Sequence, residues 1–315
     1  MFIKKENHKA ILTCHVLFFL LAWTGTSLFG KVHELSSPHK KIKVVIQVNH
    51  GISYSVFCDG KEILSPSPLS LTVEGAGVLG KEPRPSGIKS RTVNDKIIPP
   101  VKEKRAIIAD SFNEAVLTFK GNYGLVFRAY DDGVACRFFT KLKGRVKVVS
   151  EEVYFNFNRD HSVYFPVADG FLSSFERNYS CLPLSQITAE KMAFLPVLVD
   201  IKDGPKVAIT EADLDDYPGL YLTGSPDGSS SLSGRFAAYP LKEEQKRDRT
   251  LAVAERAGYI ADTEGTREFP WRVLAIARRD GELIENDIVY RLAPLPALKE
   301  TSWIKPGKVA WDWWN

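Results

Sequence analysis

Short apolar runs alternate with polar turn residues along most of this chain. Eleven runs between residues 42 and 291 are rich in Val, Ile, Phe and Tyr, which suit the pleated, half-buried surface of a sheet. The pattern predicts strands at residues 42–49, 53–58, 115–120, 125–130, 134–142, 145–155, 193–199, 206–210, 220–223, 271–277 and 287–291.

Turn residues indicate how these strands are connected. Asp-Gly, which supplies the positive φ angles of tight hairpins, occurs six times, for example in VFCDGKEIL and FRAYDDGVACRFF. Residues 183–192 and the KEEQKRDR stretch at 242–249 are helix or loop, and 81–104 and 225–250 are expected to be long loops. The sequence therefore predicts a mainly β protein built as a large antiparallel β-sandwich.

The first 27 residues have the organisation of a secretory signal peptide. Lys4, Lys5 and Lys9 precede an apolar run at 11–23 and a small-residue stretch at 24–27. Cleavage after Ser27 is favoured, and cleavage after Gly30 is the alternative. The apolar run is too short for a stable membrane span, so we expect a periplasmic or secreted protein.

Charge and cysteine content argue against two classes of function, nucleic-acid binding and zinc binding. The net charge of +4 falls to about +2 without the signal peptide, which gives no support for nucleic-acid binding. Cys58, Cys136 and Cys181 then remain without CxxC spacing, so a zinc site is not expected. One disulfide plus a buried thiol and three buried thiols remain as alternatives.

The last 22 residues differ from the rest. A proline-containing linker at 293–297 and a turn at 301–307 lead to KVAWDWWN. On a strand, Trp311 and Trp313 would face one way, while Asp312 and Trp314 would face the other. Large aromatics on both faces suit a strand covered on both sides, which favours the start of a further domain in a longer protein. The alternative is a terminal strand that packs on the sandwich itself.

Three stretches together resemble glycoside hydrolase family 97. They are LPVLVDIKDGPKVAITEADLDDYPGLYL, EFPWRVLAIARRDGELIENDIVYRL and WIKPGKVAWDWWN, in the family's order. The resemblance implies an N-terminal β-supersandwich followed by a (β/α)8 catalytic barrel whose first strand is KVAWDWWN. It divides the chain into a signal peptide (1–27), the sandwich (28–293), and a linker with the first barrel strand (294–315). The family's members are bacterial exo-acting α-glucosidases and α-galactosidases, commonly periplasmic.

An acidic run after the segment KVAIT is the candidate metal site. If the chain is extended there, Glu211, Asp213 and Asp215 share a face. The residues alone favour a solvated hairpin end over a Ca²⁺ site, because no EF-hand spacing is present. The family resemblance changes this weighting, since it implies that Glu211 reaches over to a Ca²⁺ held mostly by barrel glutamates.

Catalytic carboxylates are not expected in this chain. The resemblance places them on later barrel strands, beyond Asn315, so the chain alone is expected to be inactive. Sugar rings pack on indoles and bind carboxylates and amides, and barrel sites form at the carboxyl ends of strands. The substrate-binding candidates are therefore Asp312, Trp313, Trp314 and Asn315. Arg272 is expected to pack between domains, and the pairs Glu151-Glu152, Asp160-His161 and Glu176-Arg177 are expected to be surface or structural residues.

The sequence and the resemblance together favour the N-terminal part of a calcium-dependent exo-α-glycosidase. Its partners would be a terminal α-linked glucoside or galactoside and the catalytic barrel of the same protein. A stand-alone carbohydrate-binding module and a non-catalytic periplasmic docking protein are the alternatives. Glucose against galactose, and retention against inversion, remain open because both depend on carboxylates outside the chain.

Overall fold

The described part of the chain is a β protein with little helix. The computed structural model describes residues 31–102, 104–225, 229–248 and 250–310. It contains two short helices, α1 (Asp280–Ile284) and α2 (Ile288–Leu292), and a 3₁₀ turn at Leu184–Gln186. The strands are β1 (Lys31–Ser36), β2 (Ile42–Val48), β3 (Ile52–Cys58), β4 (Lys61–Val73), β5 (Gly77–Leu79), β6 (Pro85–Ile97), β7 (Ile108–Phe119), β8 (Tyr123–Tyr130), β9 (Gly133–Asn156), β10 (Ser162–Phe165), β11 (Val167–Ala168), β12 (Ser180–Pro183), β13 (Met192–Ala193), β14 (Val197–Asp200), β15 (Lys206–Ala212), β16 (Tyr221–Gly224), β17 (Ser231–Arg235), β18 (Pro240–Arg247), β19 (Thr250–Arg256), β20 (Ala261–Glu268) and β21 (Trp271–Ala277).

Antiparallel pairing arranges these strands in two layers. One layer runs β6–β7–β8–β9–β21–β15–β14–β10–β12. The other runs β4–β9–β17–β16–β13–β11. The meander β1–β2–β3–β4 joins the second layer, and β18–β19 forms a separate hairpin. The predicted large antiparallel sandwich is confirmed.

Strand β9 is shared by both layers. Its first part pairs with β8, β20 and β21, and its last part pairs with β4 and β17. The strand bends at Gly144, which has a φ of 66°, opposite a register shift in β20. A side chain on Gly265 would lie 2.7 Å from the Gly144 carbonyl oxygen, so the bend requires glycine there as well.

The main core lies between the two layers. Strand β2 shows how the sequence builds it, because Ile42, Val44, Ile46 and Val48 are buried while the residues between them are half-exposed. Residues from both layers, such as Phe127 and Leu222, belong to the same cluster. Removing this apolar surface from water is the main stabilising contribution to the fold.

A second apolar cluster lies on the outer face of the first layer. Trp271 is buried there between the guanidinium groups of Arg128 and Arg137, which lie 4.8 and 4.1 Å from its ring. Ile288 and Leu292 of α2 belong to the same cluster. The prediction of a strand at residues 287–291 is therefore wrong, since the spacing of four residues places both apolar side chains on one face of a helical turn.

Other local predictions had mixed outcomes. The predicted strand at 271–277 and the hairpins in VFCDGKEIL and FRAYDDGVACRFF are confirmed. In the second hairpin Asp131 and Asp132 form the turn, and Gly133 is the first residue of β9. The expected loop at 81–104 is wrong, because β6 occupies most of it. The KEEQKRDR segment at 242–249 forms most of β18 rather than a helix or loop, so the loop at 225–250 is also largely wrong. Both strands hydrogen-bond to a neighbour although their exposed faces are polar.

The three cysteines of the described residues are free. Cys58 and Cys136 are buried and Cys181 is exposed, so neither alternative drawn from the sequence is correct. Of the helices in the described segments, none combines the length and apolar character needed to cross a bilayer. The proposed boundaries at residues 27 and 293 stay predictions.

Candidate functional site

Glu211 lies near the end of β15, where the strand leaves the sandwich. Its register partner on β21 is Arg272, whose Nη1 donates to Glu211 Oε2 over 2.8 Å. The backbone N–H of Leu220 donates to both carboxylate oxygens over 3.1 Å. The Glu211 side chain keeps 14% of its surface exposed, so it is held in one orientation at the margin of the protein.

Arg272 connects Glu211 to a second carboxylate. Its Nε and Nη2 each donate to Glu151 over 2.7 Å in a bidentate pair, and the Arg272 side chain is only 3% exposed. Burial acts to lower the pKa of Arg272, but the charge of Glu151 and its hydrogen bonds raise that pKa overall. Burial raises the pKa of Glu211, and the charge of Arg272 opposes that rise. The predicted structural role of Arg272 and Glu151 is consistent with this arrangement.

The acidic run does not form the shared face expected of an extended segment. Asp213 has a φ of 57°, so the chain turns directly after β15. The Asp213 carboxylate accepts a hydrogen bond from Arg137 Nη1 over 3.0 Å. Arg267 donates to the backbone oxygens of Asp215 and Asp216. The run is therefore a loop held by arginines of the neighbouring strands, and Glu211 alone of the three predicted residues stays on the strand.

An aromatic cluster lies beside this loop on the second layer. The rings of Phe171 and Phe175 contact Tyr221, with centroids 5.1 and 6.2 Å away, and Phe175 also packs on Phe194. Burial raises the pKa of Tyr221, and the nearby charge of Glu211 adds to the effect. Phe175 is 56% exposed, so the cluster presents an apolar ring at the surface.

A polar groove of about 670 Å³ adjoins the aromatic cluster. It is lined by Val167, Asp169, Phe175, Glu176, Arg177 and Asn178, and Arg177 pairs with Asp169. Glu176-Arg177 was expected to be surface or structural, and the groove was missed. The sequence has no periodicity here that could have indicated it, because residues 169–179 form an irregular segment that contacts Phe194, directly after β13, and Tyr221 of β16.

The remaining predicted site residues are Asp312, Trp313, Trp314 and Asn315, and they lie outside the described residues. The preceding residues 308–310 are described and form no strand. The Asp160-His161 pair, expected to be surface or structural residues, lies in the connection between β9 and β10. Asp160 accepts hydrogen bonds from the backbone and hydroxyl of Ser185, and His161 is buried.

Glu211 could supply one oxygen ligand to a Ca²⁺ ion, but it could not hold the ion by itself. A carboxylate has about four lone-pair positions, and the three hydrogen bonds to Glu211 leave Oε1 open to a further contact. Calcium takes six to eight oxygens. Within the described segments no group of three or more His, Cys, Asp or Glu residues is placed to hold a metal. A complete site would need oxygens from outside these residues.

A family profile and two curated relatives match most of this chain. The family profile described as "Glycosyl-hydrolase 97 N-terminal" matches residues 35–294. A retaining alpha-galactosidase of Bacteroides thetaiotaomicron is 37% identical over 296 residues, which are 90% of this chain and 44% of the relative. A probable retaining alpha-galactosidase of Streptomyces bingchenggensis is 28% identical over 260 residues, which are 81% and 36% of the two chains.

Solved structures share the fold. A glycoside hydrolase family 97 enzyme from Pseudoalteromonas sp. strain K8, in complex with acarbose, superposes with a TM-score of 0.75 at 22% identity, covering 87% of this chain and 40% of that one. A beta-arabinopyranosidase superposes with a TM-score of 0.64 over 78% of this chain and 40% of its own. The chain thus spans less than half the length of these relatives. It belongs to glycoside hydrolase family 97, and residues 35–294 form the family's N-terminal domain.

Proposed function

We propose that this domain is part of an exported, retaining exo-α-glycosidase that acts on terminal α-linked galactose. The observation that carries the proposal is the 37% identity to a retaining alpha-galactosidase across 90% of the chain. The second curated relative is also described as a probable retaining alpha-galactosidase. Glucose is the alternative sugar, because the solved relative from Pseudoalteromonas binds acarbose and, in a variant, panose.

The domain would work with a catalytic (β/α)8 barrel of the same protein. Retaining hydrolysis needs two carboxyl groups about 5 Å apart on either side of the scissile bond, and the barrel would supply them. The N-terminal domain would close one side of the sugar pocket with Phe175 and Tyr221, whose rings suit the apolar C–H face of a sugar. Asp312, Trp313, Trp314 and Asn315 would contribute from the first barrel strand.

Glu211 would supply one oxygen ligand to a Ca²⁺ ion at the domain boundary. Calcium, when bound, would contribute a fixed positive charge that orients the sugar hydroxyls. The support for Glu211 is its fixed carboxylate, which Arg272 and the Leu220 N–H hold at the protein margin with one open lone pair. The ion pair with Arg272 also limits the affinity, so this domain by itself should bind calcium weakly.

The activity test compares the 315-residue chain with a protein that joins this domain to its barrel. We expect the longer protein to hydrolyse an aryl α-galactoside faster than an aryl α-glucoside, and the 315-residue chain to hydrolyse neither. A chelator should abolish the activity and added Ca²⁺ should restore it. Hydrolysis by the 315-residue chain, or full activity of the longer protein in chelator, would contradict the proposal.

Variants separate the calcium ligand from the fold. Glu211→Gln keeps an oxygen for the Leu220 N–H but loses the charge, so the longer protein should need more Ca²⁺ for half-maximal activity. Glu243→Gln, at an exposed residue of β18, is the matched control and should leave the requirement unchanged. Export is tested by cell fractionation and N-terminal sequencing, with Leu28 expected as the first residue.

A further inference from the structure

A cavity of about 330 Å³ lies at the opposite end of β15 from Glu211. Strand β15 has seven residues, so this end is about 20 Å from Glu211. Three segments line the cavity: the start of β4, the connection between β9 and β10, and the turn between β14 and β15.

The side chain of His161 is fixed so that one ring nitrogen is left to bind a ligand. His161 lines the cavity and is 4% exposed. The backbone N–H of Lys202 donates to its Nδ1 over 3.2 Å, so in the neutral ring the hydrogen is on Nε2. Nε2 has no acceptor among the described residues. It is also not among the polar atoms of these residues that are both without a partner and completely buried, so it keeps some accessible surface. The Nε2–H group is therefore open to the cavity.

Three cationic side chains belong to the lining of the same cavity. Lys61, Arg159 and Lys202 line the cavity, and within the described segments none of them forms an ion pair. Lys61 Nζ donates only to the backbone oxygen of Asp203, over 3.1 Å. Most other arginines of the described residues form ion pairs, for example Arg145 with Asp262 over 3.0 Å. The cations at the cavity thus have their charge available for a ligand.

The acidic residues nearby neutralise this charge only in part. Glu62 and Asp203 also line the cavity, and the Glu62 carboxylate accepts a hydrogen bond from Ser65 Oγ over 2.6 Å. Asp160 is held outside the lining by Ser185. The lining residues carry three positive and two negative charges. The donors, Nε2–H and the Arg159 guanidinium, have no acceptor there.

We propose that this cavity binds an oxyanion, either the carboxylate of an acidic sugar or a free phosphate. The Arg159 guanidinium would donate a bidentate pair of hydrogen bonds, the geometry in which arginine recognises carboxylate and phosphate. His161 Nε2–H would donate a further bond, and Lys61 and Lys202 would supply charge. The proposal does not depend on the glycosidase activity proposed above.

The test is isothermal titration calorimetry of the 315-residue chain with three probes. These are inorganic phosphate, galacturonate and the neutral sugar galactose. We expect at least one of the two anions to bind with a stoichiometry of one and galactose not to bind here. Added NaCl should weaken the binding, because the cations are partly exposed to solvent.

Single variants locate the binding. Arg159→Gln and Lys202→Gln should each weaken it about tenfold, because each removes a charge-assisted contact. His161→Asn retains an acceptor for the Lys202 N–H but loses the Nε2–H donor, and should weaken binding similarly. Lys89→Gln, at an exposed and unpaired lysine of β6, is the matched control and should leave the affinity unchanged.

Each outcome decides the question. Binding of galacturonate alone identifies an acidic sugar as the ligand, and binding of phosphate alone identifies a free inorganic anion. Absence of binding by both anions overturns the proposal, and so does binding that Arg159→Gln and Lys202→Gln leave unchanged. Arg159 and Lys202 are exposed, so these two variants keep the test valid if His161→Asn fails to fold.

Discussion

Arg272 donates to Glu211 on a neighbouring strand and to Glu151 across the core, so one guanidinium bridges the two layers of the sandwich. Glu211 belongs to β15 of the first layer, and Glu151 lies on the part of β9 that pairs with β4 in the second. The bidentate contact with Glu151 is almost completely removed from water. Such a pair is expensive to break, because its partners are left charged and buried.

Replacing Arg272 should therefore destabilise the fold strongly. Arg272→Met leaves Glu151 and Glu211 without a counter-charge, and we expect a loss of about 3–5 kcal/mol in the free energy of unfolding. Urea denaturation followed by tryptophan fluorescence measures the loss. Arg279→Met is the control, since Arg279 is 83% exposed in its pair with Glu282 and its removal should not shift the midpoint. If Arg272→Met shifted the midpoint of urea denaturation no more than Arg279→Met, the buried network would not contribute to the stability of the fold.

Gly224 should not tolerate a side chain. A Cβ at this position in β16 would lie 1.7 Å from the carbonyl oxygen of Ile187, which belongs to the backbone and cannot move freely. We expect Gly224→Ala to cost about 3 kcal/mol or more through overpacking. A Cβ on Gly258 would meet nothing within 4 Å, so Gly258→Ala is the matched control. Thermal melting of both variants measures the difference, and an unshifted Gly224→Ala would refute the close approach.

The thiols of the folded chain should differ in reactivity. Burial raises the pKa of Cys58 to about 11 and that of Cys136 to about 12, so neither forms much of the reactive thiolate at neutral pH. Cys181 is exposed. Iodoacetamide should label Cys181 in the native protein, and Cys58 and Cys136 only in urea. Peptide mapping by mass spectrometry tests this, and native labelling of Cys136 at the rate of Cys181 would contradict it.

His161 should make the fold less stable in mild acid. Burial lowers its pKa below the ordinary 6.5, the charge of Arg159 lowers it further, and Asp160 and Asp200 oppose the shift. The unfolded chain therefore takes up the proton first, so stability falls as the pH drops through 6.5 and levels off below the folded pKa.

The measurement for His161 is the free energy of unfolding from pH 8 to pH 5. The stability advantage of the natural protein over His161→Asn should shrink as the pH falls. Gln186→Ala, at an exposed neutral residue of the nearby 3₁₀ turn, should differ from the natural protein by the same amount at every pH. A constant difference for His161→Asn as well would argue against a lowered pKa.

The sequence predicted the strands that bury one face and the turns that join them. The 271–277 strand and the Asp59-Gly60 hairpin follow from local chemistry. Strand β6 could not be found in this way, because most of its side chains are polar and exposed and pairing with β7 fixes it. Helix α2 had a visible indication in the spacing of Ile288 and Leu292, but its single turn is too short to distinguish from a strand.

The candidate site was harder to predict from the sequence than the fold. Glu211 was identified through the family resemblance carried by ITEADL, and its calcium role stays a prediction. Its partner Arg272 is 61 residues away, and Glu151 is 121 residues from Arg272. Only the register of β15 on β21 and the path of β9 bring these three together. The groove beside Phe175 depends on an irregular segment for which sequence patterns give no rule.

Because β9 runs for 24 residues through both layers, neither layer can come apart while the other persists. Its partners range from β4 near the start of the described chain to β21 near the end, so closing the fold requires contacts between distant parts of the sequence. We therefore expect slow folding on the scale of β-rich domains, and unfolding in a single concerted transition with no half-sandwich intermediate.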